Sequence, residues 1–299
     1  MARSRGLGYA IAMPELPEVE TVRRGLEPVL AGARLRRVRT HRPDLRFPFP
    51  EEFAQRLTGA RVERLERRGK YILAPLDRDE TLIIHLGMTG RFEIERGDPS
   101  PRPGSFALAA PADARHAHVV FETEAGAAIT FFDARRFGFM DLIASDALDT
   151  HPRFAAMGPE PLSDAFNGAY LKAAFAARRG GAKTLLLDQR VVAGLGNIYV
   201  CEALHRARVS PVKPASAIGR RKLIDLAAAV RAILEEAIAA GGSTLRDYAG
   251  ADGTLGYFQH RFEAYGRSGE ACGTSGCGGV IVRIVQAGRS TFYCPSCQR

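Results

Sequence analysis

From Pro17 to Leu30 the apolar residues Val19, Val22, Leu26, Val29 and Leu30 recur at helical spacing, and Gly32 closes the segment. Glu18 and Glu20 stand near its start with Arg23 and Arg24 after them, the order that a helix dipole favours. The period then changes. Arg34–Arg39, Arg61–Glu66, Tyr71–Pro75, Thr81–Leu86, Gly90–Glu95, Ala117–Thr123, Ala127–Asp133 and Phe137–Ile143 read as short strands, with Glu124-Ala125-Gly126 as a hairpin turn. Many short strands separated by turn signals predict an antiparallel sandwich or barrel. Residues 97–111, rich in Pro, Gly and Ser, read as a loop.

Past about residue 145 the pattern becomes helical: Leu171–Arg178, Ala182–Asp188, Ile198–Ala207 and Ala217–Ala240. The last carries Leu223, Leu226, Val230, Ile233, Leu234, Ala237 and Ile238 on one stripe and stops at Gly241-Gly242. Residues 242–262 mix glycines with aromatics and read as a mobile loop. From Tyr265 the chain is Gly-rich, Cys-bearing and strand-like. The outline is an α+β protein: a β domain with a flanking helix (residues 13–145), a helical domain (146–262) and a small C-terminal module (263–299).

Composition narrows the partners. Hydrophobic residues at 46% and charged residues at 25% suit a globular chain of 299 residues, and no apolar run is long enough for a membrane span. The formal net charge of +9, carried mostly by Arg, favours a polyanion, although an Arg- and Ala-rich composition also follows from a GC-rich genome.

Four of the five cysteines, Cys272, Cys277, Cys294 and Cys297, fall in the last 28 residues as C-x4-C, sixteen residues, then C-x2-C. Two thiolate pairs bridged by a hairpin suit one tetrahedral Zn2+, a structural ion because four cysteines leave no open position. Two disulfides are the alternative, and nothing in the sequence points to secretion. Such an ion would supply folding energy that a small Gly-rich tail lacks. Cys201, alone in a helix, reads as a small core residue.

The other candidate site begins at Met13-Pro14-Glu15-Leu16-Pro17-Glu18-Val19-Glu20-Thr21. If Met13 is the biological start and is removed, Pro14 becomes a free secondary amine. An α-amino group with a pKa of roughly 8 is partly unprotonated at neutral pH and attacks electrophilic carbon, with Glu15 placed to move protons beside it. Residues 1–12 are then an extension outside the native protein. If they remain attached, Pro14 has no nucleophilic nitrogen.

Further along, Arg67-Arg68-Gly69-Lys70-Tyr71 reads locally as a solvated basic turn, and His85-Leu86-Gly87-Met88-Thr89-Gly90 as a strand end with a Gly-rich turn. His116 reads as a strand residue facing solvent. Val192-Ala193-Gly194-Leu195-Gly196-Asn197-Ile198-Tyr199 lacks the third glycine and the βαβ setting of a dinucleotide fingerprint. It reads as a tight turn into a helix whose N–H groups suit a phosphate. Arg289 falls at a hairpin turn, where a guanidinium reaches two phosphate oxygens.

Taken together these motifs resemble the formamidopyrimidine-DNA glycosylase family, in family order and over residues 13–299. The C-x4-C pair and Ala134, where the family commonly has C-x2-C and Pro, are departures. The resemblance implies a β-sandwich catalytic domain, a helix–two-turn–helix DNA-binding domain and a zinc-finger hairpin. It implies a bifunctional DNA glycosylase and AP lyase of base-excision repair that releases oxidised purines such as 8-oxoguanine and formamidopyrimidines. The abasic site is then cleaved by β,δ-elimination through a Schiff base on Pro14.

By the same resemblance Glu15 is the proton donor, Lys70 a phosphate contact and proton donor in elimination, and Arg289 the phosphate ligand assigned to the second elimination. Met88 fills the gap left by the extruded nucleotide, Arg135 contacts the orphaned base and Phe137 wedges into the stack. Such wedges offset lost base stacking. His85 and His116 are further DNA contacts, and Arg178 (or Arg179), Lys183 and Asn197 fall to the DNA backbone. Residues 243–259 correspond to a loop over the lesion, and Glu18 is assigned to structure.

The implied partner is double-stranded DNA with oxidised bases. The implied protein is monomeric, bacterial, cytoplasmic and nucleoid-associated, with no membrane. Three alternatives stay open: the sister family for oxidised pyrimidines, a catalytically silent lesion-DNA binder, and a zinc-finger DNA regulator. The last lacks a recognition-helix pattern.

Overall fold

The computed structural model describes residues 13–95, 113–243 and 256–299. Helix α1 (Leu16–Leu30) opens the chain, with Pro17 in its first turn, where a missing N–H does no harm. Its start is pinned by Glu18, whose Oε2 accepts the Glu15 N–H at 2.9 Å.

Eight strands follow in two antiparallel four-stranded sheets. They are β1 (Leu35–Thr40), β2 (Glu66–Arg68), β3 (Tyr71–Pro75), β4 (Glu80–His85), β5 (Arg91–Glu95), β6 (Ala117–Thr123), β7 (Ala128–Phe132) and β8 (Phe139–Ala144). One sheet has the order β1-β6-β7-β5 and the other β2-β3-β4-β8. The expected sandwich is present, and the Glu124–Gly126 turn joins β6 to β7, where Ala128 pairs with Glu122.

Two features depart from the pattern reading. Residues 61–65 make only isolated bridges, Arg34 to Arg61 and Val62 to Leu76, so the strand begins at Glu66 instead. A short helix α2 (Phe53–Leu57), which buries Phe53 and Leu57, carries too few residues to show a period. Strands β3 and β4 are apolar on both faces for a reason visible in packing. Ile72 and Ile84 face the sandwich core, whereas Leu73 and Ile83 meet Phe154 from the segment after β8.

The second half is helical: α3 (Gly168–Ala176), α4 (Ala182–Leu186), α5 (Asn197–Arg206) and α6 (Arg220–Ala239). These helices share one core that includes Leu16, while Val19, Val22, Leu26 and Leu30 of the same helix α1 belong to the sandwich core. Helix α1 therefore joins the two cores. The chain ends in the hairpin β9 (Val282–Gln286) and β10 (Arg289–Tyr293). The Pro/Gly-rich loop read at 97–111 and most of the loop read at 242–262 lie outside the described residues. Of the latter, Phe258–Arg261 form a turn of 3-10 helix with Phe258 buried.

Candidate active site and nucleic-acid interface

The centre lies where α1, α5 and the β2–β3 turn converge. Pro14 and Glu15 are buried. Glu15 Oε1 accepts the Ile198 N–H at 2.9 Å, and its Oε2 faces the Tyr199 N–H at 3.4 Å. These are free N–H groups of the first turn of α5, the end at which a helix favours negative charge. Gly196 makes room for this approach, because a Cβ there would lie 2.3 Å from Glu15 Cδ. On the other side, Leu16 N–H donates to Gly194 O at 3.0 Å. The Gly-x-Gly-Asn turn thus seats a carboxylate of the protein itself, not only an external anion.

Burial pushes the Glu15 carboxyl up to about 7; Lys70 opposes the shift, Glu18 adds to it, and the two amides of α5 oppose it. A carboxyl at that position is half protonated near neutral pH and able both to give and to take a proton. Glu18 is equally buried, and burial raises its pKa too. Its Oε1 accepts from Tyr199 OH and from the N–H (2.8 Å) and hydroxyl (3.0 Å) of Ser243. That matches the structural role assigned to it, and adds Tyr199 and Ser243, which the sequence did not single out.

Lys70 is not on a solvated basic turn. It is 7% exposed, and burial lowers its pKa while Glu15 acts as the nearest opposing charge. The turn is held by Glu160, which accepts from Arg67 (2.6 Å), Arg68 (3.0 Å) and the Gly69 N–H (2.7 Å). Arg68 also donates to Gly158 O at 2.7 Å. A contact some ninety residues away in sequence carries no local signature.

Arg289 begins β10 and is exposed, in line with the hairpin-turn reading. Its charge is felt by both Lys70 and Lys183. Lys183 and Asn197 reach the C-terminal hairpin. The Lys183 ammonium is fully buried and donates to Ser290 O (2.9 Å) and Thr291 Oγ1 (2.6 Å), and Asn197 Nδ2 donates to Ser290 O (2.9 Å). Both nitrogens thus brace the hairpin that carries Arg289.

A second group of residues lies at the ends of the sandwich strands. Thr89 donates its hydroxyl to Asp133 and accepts the Arg135 N–H at 3.0 Å, and Gly138 N–H donates to Asp133 Oδ2 at 2.7 Å. Asp133 is fully buried and anchors both turns. Gly87, at φ +63°, permits the approach, since a Cβ would meet Gly138 N at 2.2 Å. Half-buried Met88 is thereby brought beside exposed Arg135 and Phe137, whose guanidinium and ring stack at 4.8 Å.

His116 stands in a short 3-10 turn rather than in a strand, and its carbonyl accepts the Asp133 N–H at 3.1 Å. His118, which the sequence did not flag, is buried with Nε2 2.9 Å from Asp133 O. His85 stacks on Phe139 with centroids 5.2 Å apart. Burial, then Lys70, Arg46 and Arg153, push it down to about 4, so it is neutral at pH 7. Its Nδ1 accepts the Gly87 N–H at 3.0 Å, which leaves Nε2–H as a donor. Arg178 is exposed beyond the end of α3, apart from these two groups, and donates to Ala174 O at 3.1 Å.

The thiols of Cys272, Cys277, Cys294 and Cys297 all lie within 4.8 Å of one another. Cys272 and Cys297 are 3.8 Å apart and Cys277 and Cys294 3.5 Å, against about 3.8 Å between sulfurs around a tetrahedral zinc. The donor set fits one structural zinc, and the longer C-x4-C knuckle does not prevent it. Cys201 is buried in the helical core, as expected.

Comparison with known proteins agrees with this geometry. Residues 13–140 match the family model for the formamidopyrimidine-DNA glycosylase N-terminal domain, residues 157–249 that for its H2TH domain, and residues 269–299 a zinc finger found in FPG and IleRS. The chain is 65% identical over 286 residues to the formamidopyrimidine-DNA glycosylase of Caulobacter vibrioides strain NA1000, which covers 96% of this chain and all of that protein. That of Phenylobacterium zucineum is 65% identical over 287 residues with the same coverage.

Among solved structures, the MutM (Fpg) protein of Thermus thermophilus superposes with a TM-score of 0.80 at 39% identity, over 95% of this chain and 98% of that one. Lactococcus lactis Fpg in complex with DNA containing an abasic site gives 0.82 at 33% identity, over 95% and 99%. With three family models in sequence order and full-length relatives at this identity, the chain belongs to the formamidopyrimidine-DNA glycosylase family.

Proposed function

We propose that this protein performs base-excision repair as a glycosylase that removes oxidised purines from duplex DNA and then cleaves the abasic site. The observation that carries this reading is Glu15, a buried carboxyl with a pKa near 7 beside Pro14 and Lys70. The family model begins at Met13, which supports Pro14 as the amino terminus of the active protein.

In that form the Pro14 nitrogen attacks C1′ of the damaged nucleotide as Glu15 protonates the ring oxygen. The glycosidic bond breaks, and its electron pair leaves with the base, which takes up a proton; the nitrogen gives up its own proton, the C1′–O4′ bond opens with its electron pair on the protonated ring oxygen, and C1′ is left double-bonded to nitrogen. The resulting iminium acidifies the C2′ proton. Loss of that proton expels the 3′ phosphate, and a second elimination expels the 5′ phosphate. Lys70 and Arg289 neutralise the flanking phosphates; Met88, Arg135 and Phe137 occupy the space vacated in the duplex. Zinc has no part in these steps and holds the hairpin that bears Arg289.

We assign three units, residues 13–145, 146–262 and 263–299, to catalysis, DNA backbone binding and the zinc finger. We further infer a monomer acting in the bacterial cytoplasm. Among the described residues no helix is long and apolar enough to cross a membrane. The wording of the α1 motif and the Arg135/Phe137 turn favour purine over pyrimidine lesions. The test is borohydride trapping on duplexes bearing 8-oxoguanine or thymine glycol, with the intact mass of the trapped adduct. A covalent adduct at Pro14, formed more readily on 8-oxoguanine, is expected. No adduct from protein that begins at Pro14 defeats the reading.

A further inference from the structure

Helix α5 is gripped along its whole length. Its first turn donates N–H groups to Glu15. In its middle, Glu202, 3% exposed, accepts the N–H groups of Glu263 (2.9 Å), Ala264 (3.0 Å) and Tyr265 (2.7 Å), fixing the segment that leads to the cysteine tail. In its last turn stands His205, 2% exposed, with Nε2 3.4 Å from Cys272 Sγ. Its Nδ1 lies 3.4 Å from Glu263 Oε2, near enough to feel the charge but not aligned as a hydrogen bond.

We propose that His205 is a positioning residue of the zinc site: it donates Nε2–H to the Cys272 thiolate and so ties the metal knuckle to the helix that seats Glu15. Three observations meet here. Four thiolates around one Zn2+ carry net negative charge, which N–H donors stabilise, and partners of this kind orient metal ligands. An N···S separation of 3.4 Å suits such a bond. Cys272 opens the longer C-x4-C knuckle, and His205 supports it from outside the tail. From within the tail, Thr274 Oγ1 lies 3.8 Å from Cys297 Sγ.

The donor role and a mere packing role differ in what each substitution does. His205→Phe keeps an aromatic ring and removes the donor; His205→Gln removes the ring and keeps a donor. The experiment measures zinc content of the full-length chain, its melting temperature, and the rate at which zinc passes to an excess of chelating dye. The donor role gives release on the order of tenfold faster for the Phe variant, with the Gln variant nearer wild type.

Release from the Phe variant at the wild-type rate, or slower than from the Gln variant, overturns the proposal. So does a wild-type chain without zinc. Should the Phe variant not fold, the wild-type chain loaded with 113Cd decides. Scalar coupling between the His205 Hε2 proton and the metal, transmitted through sulfur, supports the bond, and its absence overturns it. None of these readouts depends on glycosylase activity, so they stand apart from the catalytic reading.

Discussion

The two halves of the site are built on opposite principles. The centre (Glu15, Glu18, Lys70, Lys183 and Tyr199) is 0–7% exposed and bound by hydrogen bonds that join the start of α1 to α5 and α4 to the C-terminal hairpin. The rim (Phe137, Arg135 and Arg289) is exposed, with Phe137 at 42%. The centre carries its desolvation penalty permanently, in raised carboxyl and lowered ammonium pKa values. The rim meets that cost only when DNA arrives. Damage to the centre should therefore register in both stability and chemistry, and damage to the rim in the handling of DNA with stability preserved.

The sharpest break is Glu15→Gln. Base release should fall by about 10²–10⁴ if this carboxyl moves the proton. Its stability should change in the opposite sense. The folded-state pKa near 7 lies above the ordinary 4.5, so the contribution of this carboxyl to stability is fully present below pH 4.5 and is lost as pH rises from there through 7. The Gln variant lacks that slope, and by pH 8 the difference should reach about 3 kcal/mol. Parallel denaturation curves at pH 4 and pH 8 check it; an unchanged slope would mean that Glu15 is not the buried acid described.

Gly196→Ala comes next. A Cβ 2.3 Å from Glu15 Cδ should lower stability by about 1–3 kcal/mol and depress turnover through displacement of the carboxyl. The control is Gly126→Ala, where nothing lies within 4 Å and only the left-handed backbone is strained. It should leave turnover intact. Equal losses of turnover at both sites would erase the distinction between centre and turn.

The smallest stability effect belongs to the rim. Arg289→Ala should stay within about 0.5 kcal/mol of wild type. It should weaken DNA binding and reduce the slope of log K against log salt by about 0.9, the signature of one lost phosphate contact. An unchanged slope would remove Arg289 from the backbone.

Sequence reached the rim and the metal more readily than the way the centre is held. Strands with period two, the α1 stripe and the four cysteines are local patterns, so their boundaries fall within a residue or two of the observed elements. Pro14 and Glu15 are legible in the residues themselves and Lys70 by resemblance, but their setting is not. Glu160 beneath the Lys70 turn, Ser243 on Glu18 and the inward course of Lys183 arise from contacts between residues roughly ninety to over two hundred apart in sequence. The Arg-rich turn misled for the same reason: locally it resembles a solvated surface, and Glu160 with the Met157 and Gly158 carbonyls makes it interior. Residues 61–65 show the converse, an alternating stretch that makes isolated bridges and no ladder.

Asp133 has a mechanical implication. Because it fastens the Met88 turn and the Arg135–Phe137 turn to one buried carboxylate, neither tip can advance without the other. On the proposed reading, in which these tips enter a double helix, they would do so as one rigid wedge.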